Sequence, residues 1–196
     1  MMLSKINLPS ECMLQLAEII VANPDKSDRL AAMTHAAGHS IISAAIGVVV
    51  NHIEITQEQG VFGMEWDCLV RLEPQQDQEI TNLTEHEKAL AAAMHFIGGY
   101  AGESLKGSNP AKSSVSDRYC AEFLCAQLDR LYKMPDHTFF NRVSNLATEI
   151  LVDNLGIYAA IIDALDSESL LRGEGLSSGL ATIKKVSLQE MLGGLQ

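Results

Sequence analysis

The chain has 196 residues, enough for one domain or one domain with an appendage, and 47% of them are hydrophobic, enough for a sizeable core. A formal net charge of -11 and a sequence pI of about 4.9 set the surface against nucleic acid, and no basic patch overrides them. Aromatics are only 5%, and Ala, Leu and Ile carry the apolar content, a bias toward helix.

Residues 10–22, SECMLQLAEIIVA, space Met13, Leu14, Leu16, Ile19 and Ile20 at helical intervals behind Ser10 as N-cap. NPDKSD then breaks the pattern, so residues 1–26 are expected to form an N-terminal helical appendage and residues 27–196 the main domain. A helix is expected from Ser27 or Asp28 to about Ala45. Its Gly38 costs roughly 1 kcal/mol against alanine, which calls for a packing reason such as the close approach of another backbone. VVVNHIEIT at 48–56 reads as a strand, EQG as a turn, and VFGMEWDCLVRL as one or two further strand pieces. After a polar loop, helical pattern returns from about Thr84 to Leu105. The loop KGSNPAKSSVS follows, with Asp117 at or near the start of a helix reaching Tyr132. KMPDH breaks the chain again. A long helix is expected over about Thr138 to Leu165, then a tail with a weak turn and a short helix. The fold class expected is α+β, mostly α-helical: a helical bundle with one small antiparallel sheet.

Cys12, Cys68, Cys120 and Cys125 match neither a zinc ribbon nor a disulfide framework and read as reduced core residues of a cytoplasmic protein. No signal-peptide core opens the chain, and the most apolar stretch, Met33 to Val50, reads as a buried helix running into a turn rather than a membrane span.

The chemistry sits in MTHAAGHSII, where His35 and His39 stand four apart. On a helix that spacing puts both imidazoles on one face, within reach of a single zinc ion. The pattern is close to the H-E-x-x-H of zinc peptidases, but Ala36 holds the glutamate position and cannot accept a proton. H-x-x-x-H alone equally suits two partly buried helix histidines. His52, His86, His95 and His137 read as structural or solvated; His86 and His95, nine apart, point to opposite faces of their helix.

THAAGHSIISAAIG, NHIEIT and GVFGMEW resemble the peptidase domain of FtsH-type ATP-dependent zinc metalloproteases, which reads H-E-A-G-H-A followed by two strands. GGYAGESL resembles that family's G-G-R-A-A-E-E-L, and Asp117 in SSVSDRYCAE falls on the aspartate of its S-N-D stretch. The resemblance spans about residues 28–190. It implies an FtsH-peptidase-like fold and zinc held by His35, His39 and Asp117, with one position open for water. Glu103 is a candidate orienting carboxylate. The resemblance also implies that the strand at Gly60, Val61, Phe62, Gly63 and Met64 captures a peptide or protein partner by strand addition. A helix N-cap for Asp117, a solvated glutamate for Glu103 and a plain sheet strand are the alternatives. Ala36 departs from the family, as does the lack of a G-x-x-x-x-G-K-[ST] phosphate loop and of membrane spans. MMLSKINLPSEC reads as a natural start, so a free-standing domain is expected, with a homo-oligomer allowed. Ala36 marks an inactivated variant, a natural pseudoenzyme, or a rearranged site with Glu103 or Glu122 as base. Weak or absent peptide hydrolysis is expected; a binding or regulatory module on the same fold is the competing class.

Overall fold

A computed structural model of the chain describes residues 29–60, 63–72, 83–105 and 115–193. The expected appendage at 1–26, Val61 and Phe62 lie outside the described residues. The elements in order are α1 (Arg29–Ala45), β1 (Val50–Gly60), β2 (Gly63–Leu72), α2 (Glu85–Leu105), α3 (Val115–Tyr132), α4 (Thr138–Asp153), α5 (Leu155–Glu168), β3 (Leu170–Arg172), α6 (Glu174–Ala181) and α7 (Leu188–Gly193). The class is the expected one: mostly helical α+β, with one antiparallel three-stranded sheet ordered β2-β1-β3.

α1 is the central element. It packs on α2, α5, β1 and β2, and nearly every residue from Met33 to Ala45 is buried. Small side chains make that possible. A Cβ on Gly38 would lie 2.2 Å from the carbonyl oxygen of Gly98, and one on Gly102 would lie 2.4 Å from that of Thr34. The two helices thus touch backbone to backbone, the packing reason that Gly38 called for. α1 stops before Gly47, whose φ of 85° suits glycine. Its last carbonyls are taken by the tail: Lys185 Nζ donates to Ala44 O, and Val186 N–H donates to Ala45 O at 2.9 Å.

Three expectations need correction. β1 does not turn at Glu58–Gly60; it runs to Gly60, pairing Gln57 with Trp66 and Gly60 with Gly63, and β2 is a single strand. The long helix over 138–165 is two helices, α4 and α5, bent by 77°. Asn154 breaks it: its φ of -117° leaves the helical region, and its side-chain amide donates to Ile150 O at 2.8 Å, in competition with the helix ladder. The tail carries β3 and two short helices, α6 and α7. β3 pairs Leu170–Arg172 with His52–Glu54, and three residues are too few to show alternation. Among the described residues, no single helix is long and apolar enough to cross a membrane.

Candidate metal centre

Three helices build the centre. α1 supplies His35 and His39, the first turn of α3 supplies Asp117, and α2 lies beneath with Gly99 and Glu103. His35 Nε2 lies 3.1 Å and His39 Nε2 3.0 Å from Asp117 Oδ2, and the two Nε2 atoms are 2.8 Å apart. The aspartate is not merely a helix-start residue; it is buried with its carboxylate turned into this triangle.

The partners of each ring fix where its proton sits. His35 Nδ1 is 2.7 Å from Glu103 Oε1, and His39 Nδ1 is 2.8 Å from the main-chain oxygen of His95. Both oxygens only accept, so both Nδ1 atoms donate and each neutral ring presents an Nε2 lone pair. Two imidazole lone pairs and a carboxylate oxygen therefore converge on one point. With both rings neutral, the buried Asp117 Oδ2 has no hydrogen-bond donor among the described residues. Such a cluster is stable only around a positive charge, a proton or a cation. The protonation energetics agree. Burial opposes charge on His35, yet the carboxylates of Asp117 and Glu103 outweigh it and hold the imidazole well above its usual range. Burial alone would raise Asp117, but His35 and His39 hold it below the usual carboxylate range.

The donor set fits a metal ion. Donors about 2.0–2.1 Å from a tetrahedral zinc stand about 3.3 Å apart, a few tenths of an ångström wider than the triangle seen here. Gly99 makes room for the convergence: a Cβ there would lie 2.5 Å from His35 Cε1 and 2.6 Å from His39 Nε2. His35, His39 and Asp117 are thus a buried group able to hold a metal ion, with Glu103 orienting the first ligand.

Ala36, in the glutamate position of H-E-x-x-H, is fully buried in the apolar core and brings no acceptor. Glu122 is engaged by Arg118 Nε at 2.9 Å. Glu103 Oε1 is engaged by His35. Gly60, Gly63 and Met64 lie at the hairpin end of β1 and β2, and Met64 is exposed. The three described cysteines form no disulfide; Cys68 sits on β2, its thiol pushed up to about 11 by burial.

His95 was missed. Expected to be structural or solvated, it stacks on His39 with ring centroids 4.5 Å apart, and its Nδ1 meets Ser43 Oγ at 2.8 Å. Burial first, then His39, push its imidazole down to about 3, so it is neutral. The signal was present: His95, Gly99 and Glu103 recur every four residues on α2, as do His35, His39 and Ser43 on α1. His86 bonds Tyr132 Oη at 2.9 Å, away from the centre.

The fold and this site define a class, a mostly helical α+β protein with a buried His-His-Asp centre. Comparison with known protein families and with curated proteins finds no match to the chain.

Proposed function

We propose that the chain is an FtsH-type zinc metallopeptidase-like domain that holds zinc at His35, His39 and Asp117 and hydrolyses peptide bonds very weakly or not at all. The observation that carries the metal reading is the convergence of a buried carboxylate oxygen, Asp117 Oδ2, on the Nε2 atoms of His35 and His39 at 3.1 and 3.0 Å. Three protein donors leave a fourth position, as in catalytic zinc sites. Bound zinc supplies Lewis acidity, polarising a carbonyl and acidifying a coordinated water. The chain's own residues do the rest. Glu103 and the His95 carbonyl keep the Nδ1 protons in place, so both Nε2 lone pairs face the metal. Nothing at position 36 takes a proton, and loss of a positioned base costs about 100- to 10,000-fold in rate.

Zinc content of the purified protein, beside His39→Ala, tests the reading. About one zinc per chain, lost in the variant, supports it; no uptake by either overturns it. Robust, chelator-sensitive peptide cleavage by the unaltered chain would overturn the catalytic silence.

A second reading, a peptide-binding module, draws on β2 being an outer strand of the sheet with Met64 exposed at its start. Strand addition along that edge would need no metal. It predicts that substitutions over Gly60–Trp66 abolish partner binding while His35→Ala alters stability alone.

A further inference from the structure

α1 and α2 run antiparallel and meet rung by rung. His35 meets Glu103, His39 meets the slot at Gly99 and the carbonyl of His95, and Ser43 meets the His95 ring. The first two rungs serve the metal centre directly. The third lies one turn further along α1 and supplies no donor to it.

We propose that this third rung supports the centre: His95, clamped by Ser43, is a positioning residue that fixes the ring of His39 for metal ligation. The inference rests on the metal reading above. A histidine ring turns about a broad χ2 well. The bond from His39 Nδ1 to the His95 carbonyl holds one edge of the ring and does not by itself fix its tilt about that bond. The His35 ring meets it edge-on with centroids 4.5 Å apart, and the His95 ring limits the tilt by lying against the His39 face, 29° from parallel. His95 is itself held, by Ser43 Oγ at Nδ1 and by the Phe96 ring with centroids 5.9 Å apart. One residue of α2 therefore grips His39 by edge and by face, and Ser43, four residues after His39 on the same helix, closes the loop. Metal ligation tolerates errors of only about 0.2 Å in donor position, so a rocking ligand binds poorly.

The test measures zinc affinity by chelator competition for the unaltered chain, His95→Ala, His95→Phe and Ser43→Ala. Imidazole nitrogen NMR of the metal-free proteins accompanies it. His95→Ala keeps the carbonyl and removes only the ring. It is expected to lose about 10- to 100-fold in affinity, the range for an outer partner of a metal ligand, and to broaden the His39 signals. His95→Phe restores an aromatic face without the Ser43 bond and is expected to recover most of the loss and to sharpen the His39 signals again. Ser43→Ala, which leaves every ring in place, is expected to show the same broadening with a smaller loss, and it carries the test if His95→Ala does not fold. Unchanged affinity and spectra in His95→Ala or Ser43→Ala overturn the inference alone, as does His95→Phe binding as weakly as a folded His95→Ala. No zinc uptake by the unaltered chain overturns it together with the metal reading.

Discussion

A single methyl group at Gly99 should separate metal binding from folding. The added Cβ would stand 2.5 Å from His35 Cε1, 2.7 Å from His35 Nε2 and 2.6 Å from His39 Nε2. Ordinary contact begins near 3.4 Å, so the rings must retreat by about 0.8–0.9 Å, well beyond the roughly 0.2 Å that ligation tolerates. The obstacles are side chains, not backbone, so the rings can swing away. Overpacking of this kind costs about 1–3 kcal/mol, and replacing a mid-helix glycine by alanine returns about 1 kcal/mol. Gly99→Ala should therefore stay folded, with a net loss of at most about 2 kcal/mol, while zinc affinity falls more than about 100-fold, beyond what loss of an outer hydrogen-bond partner costs. Gly38→Ala is the contrast. Its Cβ would strike Gly98 O at 2.2 Å, with Gly98 C at 3.0 Å and Gly102 Cα at 3.1 Å, all backbone, so the helices must part. Its stability loss should reach or exceed the top of the overpacking range. Thermal unfolding of the metal-free variants and zinc titration in the presence of a chelator measure both effects. Wild-type zinc affinity in Gly99→Ala would refute the geometry argued here.

Glu103→Gln weakens the charge-assisted bond to His35 Nδ1 and should lower zinc affinity about 10- to 100-fold in the same titration. Zinc at about 100 times its dissociation constant should stabilise the fold by about 2.7 kcal/mol, a shift of roughly 5–10 °C in Tm that chelator reverses. Because His35 is held well above its usual range, zinc competes with a proton at its Nε2, and binding should release protons. Calorimetry in buffers of different ionisation enthalpy should show the release, and affinity should rise with pH until His35 titrates. By the same sign, this proton stabilises the metal-free fold fully below the unfolded histidine pKa, and the stabilisation is lost as pH rises through the higher folded value. Asp129→Ala should cost about 1–2 kcal/mol in denaturant unfolding. The buried Asp129 Oδ1 accepts the Phe139 N–H at 2.9 Å and caps α4, a task that the left-handed His137 does not perform.

Residue pattern alone places the helices that carry the site and the residues on their faces. Periodicity set α1, α2 and α3 to within a residue or two, since each is long and amphipathic. Spacing alone put His35 and His39 on one face, and Gly38 announced a close backbone neighbour. Which faces meet is a matter of packing. The break at Asn154 depends on a local side-chain bond that competes with a helix still favoured by apolar periodicity. β3 exists only because β1 offers it an edge. Asp117 reads by position as an N-terminal helix residue and by resemblance alone as a ligand, and its carboxylate meets the two imidazoles where α3 starts against α1. His95 and Gly99 join the site because α1 and α2 run antiparallel at glycine contact distance, a register that neither helix encodes alone. The reason is physical: periodicity records which face of an element is buried, while convergence of lone pairs on one point depends on the relative placement of three elements distant in sequence.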